Sequence, residues 1–115
     1  MGKEKKTTFG SYQIRLTSSA EKDRDEIIDY IAFVNEQPIN AVGVGDALEQ
    51  VFINIQLNPF AYKECESLPT KTKMYRQAVC LSWLIVYKIV GMELIVLGIV
   101  HGARKPSTIK RLKRI

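Results

Sequence analysis

From Met74 to Val100 the chain is three strand-like runs set almost end to end, and no other part of it narrows the fold so far. Met74 to Leu81 alternates in type, Trp83 to Val90 is nearly all apolar, and Glu93 to Val100 is apolar again. Ser82 marks the first turn. Gly91-Met92 fits a two-residue hairpin with glycine at the first central position. Runs joined this tightly form an antiparallel meander, and the middle one, the most hydrophobic, is expected at its centre, covered on at least one face.

The segments before the meander have a different period. Tyr12-Gln13-Ile14-Arg15-Leu16 alternates and reads as a short strand. A first helix then opens with Ser18 as the expected N-cap and Glu21 three residues on, with Asp23, Asp25 and Glu26 also near its positive end. Its apolar stripe is Ile27, Ile28, Ile31 and Val34, and Gln37-Pro38 ends it. Pro38 also starts the second helix, which carries Val44, Ala47, Leu48, Val51, Phe52 and Ile55 on one face and stops at Asn58-Pro59. Gly43 and Gly45 each cost that helix about 1 kcal/mol relative to alanine, which fits either a first helix lying close against them or a flexible helix start.

Phe60 to Lys73 has no period and reads as a connecting loop. After the meander, Ser107 to Ile115 fits a short helix with Ile109 and Leu112 inward and Lys110, Arg111, Lys113 and Arg114 outward. The expected fold class is therefore α+β, in the order β-α-α-β-β-β, with a helical hairpin packed on an antiparallel sheet.

At 115 residues the chain suits a single domain spanning 1–115, with residues 1–10 as a flexible basic N-terminus and 104–115 as a basic tail. Its 46% hydrophobic and 25% charged residues exclude a disordered, collagenous or coiled-coil chain. The longest apolar run, Leu94 to Val100, is far short of the ~20 residues that span a bilayer. Lys3-Glu4-Lys5-Lys6 leads into Thr7-Thr8 and not into an apolar stretch, so no secretory signal is expected and the location is read as cytoplasmic. Cys65 and Cys80 then read as two reduced thiols.

Charge is segregated along the chain. Residues 20–66 carry three bases and ten acids, whereas residues 67–115 carry ten bases and one acid. An acidic helical half and a basic second half point to partners with phosphates or acidic surfaces.

The usual enzymatic signatures are missing. There is no Gly-rich phosphate loop, no paired-cysteine zinc pattern and no His-Glu-x-x-His, and one histidine cannot build a multi-His site, so neither metal nor cofactor is expected. What remains is a basic and aromatic set on and just after the meander: Arg76, Tyr87, Lys88, His101, Arg104 and Lys105. A histidine with arginines to hold a phosphate is a combination that supports RNA cleavage by acid–base catalysis. Tyr87 reads as a core aromatic with its hydroxyl at the edge.

These residues carry a family resemblance. Asp25-x-x-x-Asp29-Tyr30-Ile31, Asn58-Pro59, Tyr75-Arg76-Gln77, Ile85-Val86-Tyr87-Lys88-Ile89 and Ile99-Val100-His101-Gly102-Ala103-Arg104, in that order, resemble the RelE/ParE superfamily of bacterial type II toxins, also described as plasmid stabilisation proteins. The likeness runs from residue 12 to about 106. It implies the same β-α-α-β-β-β fold, a toxin, and a cognate antitoxin as partner.

The superfamily divides by target. RelE-like members cut mRNA in the ribosome, and ParE-like members poison DNA gyrase. The nucleases typically carry an arginine after the aromatic residue of the central strand, where this chain has Leu84 after Trp83. They often end in a catalytic tyrosine, and nothing after Tyr87 is aromatic here. The His-Gly-Ala-Arg end looks more like the ParE branch.

The leading expectation is thus a gyrase inhibitor using Arg76, Lys88, His101, Arg104 and Lys105 as its binding surface. The alternative is a ribosome-dependent endoribonuclease with Arg76, His101 and Arg104 as catalytic groups. A non-catalytic RNA-binding module stands third, because a long helical hairpin before the sheet is foreign to such modules.

Overall fold

The computed structural model describes residues 12–102 and 106–114. Strand β1 (Gln13–Leu16) leads into helix α1 (Ser18–Asp29), which continues as one π-helical turn over Tyr30–Val34. Helix α2 (Pro38–Leu57) follows, then a 3-10 turn at Pro59–Ala61, and the meander β2 (Tyr75–Cys80), β3 (Trp83–Val90) and β4 (Glu93–His101). Helix α3 (Pro106–Lys110) and a 3-10 turn over Arg111–Arg114 close the chain.

The meander is antiparallel, with β3 central. The sheet order is β1-β4-β3-β2, and β1 joins β4 in parallel, so the sheet is mixed and not wholly antiparallel as expected. The reason is connectivity: both helices stand between β1 and the meander, so β1 has the crossover length that a parallel neighbour requires.

The cap also differs from expectation. Thr17, not Ser18, is the N-cap of α1, its hydroxyl accepting from the Ala20 N–H at 3.1 Å. Val34 is exposed where a continuous α-helix would have turned it inward. The π turn causes this: Asn35 N–H bonds the Tyr30 carbonyl, five residues back, which shifts the stripe after Ile31.

Two cores sandwich the sheet. On one face α1 and α2 pack Ala20, Leu48, Phe52 and Ile55 against Ala78, Ile85, Tyr87, Leu94 and Val96. On the other face Cys65 and Leu68 from the connecting segment, with Ile109 and Leu112 from the tail, cover Leu84, Val86, Ile95 and Leu97. Burial of Ile109 and Leu112, worth about 2 kcal/mol each, holds down a tail too short to be helical alone. The two cysteines are free and buried in opposite cores.

A bulge in β4 organises one end of the sheet. Val86 pairs with Gly98 while Tyr87 pairs with Val96, so Leu97 is the extra residue. β1 ends beside Val96, and from there α1 takes over the uncovered edge. Thr17 Oγ1 donates to the Leu97 carbonyl at 3.2 Å, and the Ile99 N–H donates to Asp23 Oδ2 at 3.0 Å.

Candidate functional site

Of the five residues expected to form one surface, the three that the structure describes, Arg76, Lys88 and His101, fall in separate places. Arg76 lies at the start of the outer strand β2. Its Nε donates to the Lys73 carbonyl at 2.9 Å, and its Nη1 donates to the carbonyls of Tyr62 at 2.8 Å and Phe60 at 3.3 Å. The guanidinium also stacks 5.2 Å from the Phe60 ring centre. This arginine staples the connecting segment to the sheet edge, beside an antiparallel bridge between Glu64 and Arg76. The segment over Phe60 to Lys73 therefore does more than connect.

Next to it, Tyr87 is fully buried on the helix side and donates its hydroxyl to the Pro59 carbonyl at 2.6 Å. Burial pushes its phenol far above the ordinary value, an effect only partly opposed by the Arg76 charge. It is a core residue, as its place in the central strand implied.

His101 is at the opposite end of the sheet. Arg76 pairs with Tyr87, and His101 pairs with Trp83, four residues away along β3. Four residues of strand and two interstrand spacings separate their backbones by roughly 16 Å. The two side chains do not share a site.

Lys88 is on neither of these two sites. Strand alternation places it on the tail-covered face with Leu84 and Val86, directly across from Tyr75. Lys113 Nζ stands 5.8 Å over the Tyr75 ring, so Tyr75 carries one lysine beside it and one above it. With exposed Lys110 and Arg111, these make the tail side basic. Arg104 and Lys105 lie outside the described residues. No group of three or more His, Cys, Asp or Glu positioned to hold a metal occurs among the described residues.

Around His101 the surface opens into a cleft of about 640 Å³. Its apolar walls include Ile27, Tyr30 and Trp83, and its polar groups are Asp23, Glu26, His101 and Thr108. Asp23 is half-buried there, and loss of water raises its carboxyl above the ordinary value despite the hydrogen bond from Ile99. Sequence reasoning grouped Asp23 with the other acids of the first helical turns. The one signal that separates it is period, since Asp23 lies one turn before Ile27 on the inward stripe.

The family of this fold follows from the sequence match. The family model described as the ParE toxin of the type II toxin-antitoxin system, parDE, matches residues 14–106. The chain belongs to that family. Among curated proteins none matches the sequence. The ParE family fold is seen again in a solved structure, the chromosomal ParDE TA system from P. aeruginosa, at 17% identity and a TM-score of 0.62, covering 79% of this chain and 96% of that one. YafQ from E. coli strain BL21(DE3) is similar over 80% of this chain and 94% of its own, at 22% identity and a TM-score of 0.45. The protein is a ParE-family toxin of a type II toxin-antitoxin system, within the RelE/ParE superfamily. Among the described residues of this family member, no helix is long and apolar enough to cross a membrane.

Proposed function

We propose that the protein poisons DNA gyrase by surface contact in the cytoplasm, and that a cognate antitoxin neutralises it. The observation that supports contact over catalysis is the state of Arg76. A ribonuclease needs groups that activate the attacking hydroxyl, protonate the leaving oxygen and neutralise the phosphate within one site. Here Arg76 is committed to three backbone carbonyls and stands roughly 16 Å from His101. Leu84, where the family nucleases carry arginine, is buried under the tail.

A gyrase contact asks only for shape and charge. On this reading the basic tail side, with Lys88, Lys110, Arg111 and Lys113, supplies the positive surface, continued by Arg104 and Lys105 in sequence. His101 contributes at the far end of the sheet. An acidic, amphipathic antitoxin matches the same surface by complementary charge.

The test is controlled induction in a bacterial host. The expected phenotype is filamentation and a DNA damage response while translation continues, relieved by co-expressing the neighbouring antitoxin frame. mRNA breaks at fixed codon positions, lost in His101→Ala, would instead identify a ribosome-dependent nuclease.

A further inference from the structure

The His101 cleft has the chemistry of a cation site with flat apolar walls. Asp23 and Glu26 sit one helical turn apart on α1 and both line it. Asp23 Oδ2 is occupied by the Ile99 N–H, and among the described residues no cation lies within ion-pair distance of its carboxylate. Among the described residues, Glu26 has only a loose contact to Lys22, at 3.9 Å between exposed side chains, and such pairs hold little energy. Among the described residues, then, the half-buried Asp23 charge has only the distant Lys22 to offset it.

The walls narrow the choice of cation. Trp83 and Tyr30 present aromatic surface, and Ile27 and Ile31 present aliphatic surface. A compact, strongly hydrated ammonium gains little from such walls. A guanidinium is planar, weakly hydrated, stacks on aromatic faces and pairs with carboxylates through two N–H groups.

Beyond the cleft, Ile31 and Trp83 carry apolar surface into a neighbouring groove whose rim also holds Asn35, Gln37 and Asn40. That shallow groove is also bordered by Ile39, Val44 and Leu81, of which Ile39 is 86% exposed and Leu81 62% exposed. Leu81 holds a left-handed backbone, φ 55°, that a bulky side chain adopts only at a cost. An exposed apolar residue kept in a strained turn beside such a groove is hard to explain by folding alone.

We infer that this end of the molecule binds a protein segment that inserts an arginine between Asp23, Glu26 and Trp83 and lays an aliphatic residue along the Ile39–Leu81 groove. The occupant is basic and apolar, the charge opposite of what suits the tail side. The inference is independent of whether gyrase or another target is poisoned, because it concerns a different surface.

Trp83 is the sole tryptophan, so its fluorescence reports on the cleft directly. The full-length protein is titrated with a capped peptide containing one arginine and one leucine, and with versions carrying citrulline or lysine in place of arginine. Saturable change in Trp83 emission is expected with the arginine peptide, at least several-fold weaker with lysine, and absent with citrulline. Asp23→Asn, which retains an acceptor for the Ile99 N–H, is expected to weaken binding about tenfold. Glu26→Gln, an exposed change that leaves folding intact, is expected to weaken it a few-fold. Equal responses to arginine and citrulline, no saturation, or unchanged affinity in both variants would overturn the inference.

Discussion

Arg76 donates through Nη1 to the Tyr62 carbonyl at 2.8 Å, and with its bond to Lys73 this ties the segment before β2 to the strand it covers. Sequence alone also allows Arg76 to hold a phosphate as a catalytic group, so its partners decide between the two roles. Arg76→Ala is expected to lower unfolding free energy by about 1–3 kcal/mol, the range for hydrogen bonds to a charged donor after allowance for partial exposure. Arg76→Lys recovers little, because a point charge cannot reach carbonyls in several directions as a planar fork does. Urea titration of the two variants checks both statements, and wild-type stability in Arg76→Ala would show that the staple is not structural.

Thr17 joins two elements through one hydroxyl, which accepts from Ala20 N–H and donates to the Leu97 carbonyl at the bulge. Thr17→Ala removes a helix cap and leaves a carbonyl without its partner in a buried place. A loss of about 2 kcal/mol is expected, larger than for a cap alone. Thr17→Ser keeps both bonds and is expected to lose less than half as much. Thermal unfolding of the pair distinguishes the two roles.

The outline of the fold was legible because the strands are short, strongly apolar and closed by tight turns, and because Asn58-Pro59 ends α2 where its backbone must stop. Ile109 and Leu112 were also legible as the tail's inward face, and both are buried. The parallel placement of β1 was not, since Tyr12 to Leu16 has the same alternation in either direction and only the tertiary path of the helices selects one. Nor was the π turn, because Ile27, Ile31 and Val34 have ordinary helical spacing and the shift arises from backbone bonding at Tyr30. The scattering of the basic residues was hidden for another reason. Sequence places Arg76 and His101 on the two outer runs of one meander, but pairing register sets them at opposite ends of β3. Asp23 was read as a helix-dipole acid because nothing in its local sequence announces the Ile99 N–H that it receives.

Asp23 gives stability a pH dependence with a definite sign. Burial holds its carboxyl above 3.8 in the folded state, so the folded protein binds that proton more tightly than the unfolded chain. The resulting stabilisation is present below the ordinary value and is lost as pH rises through the raised one. Asp23→Asn cannot titrate. Relative to wild type it is therefore expected to gain stability as pH rises through that window, and a pH-independent difference between the two would contradict the assignment.

Gly98 leaves room for the tail. A Cβ there would lie 2.8 Å from Leu112 Cδ2 and 3.0 Å from Cδ1. Because those atoms end a flexible side chain on a terminal turn, Gly98→Ala is expected to displace the tail more than the sheet, costing about 1 kcal/mol. Limited trypsin digestion is expected to cut at Lys110 and Arg111 faster than in wild type, while the circular dichroism of the folded domain is retained. Unchanged cleavage would mean that Leu112 simply moves aside.

The central claim, gyrase poisoning without nucleolysis, is tested most directly with purified components. Protein, DNA gyrase, ATP and supercoiled plasmid are incubated and stopped with detergent and protease. The expected product is linear DNA released from trapped gyrase complexes, retained by Arg76→Lys and reduced when Lys88, Lys110, Arg111 and Lys113 are replaced together by Gln. Absence of linear DNA, with codon-specific mRNA cleavage by the same preparation in a ribosome extract, would contradict it.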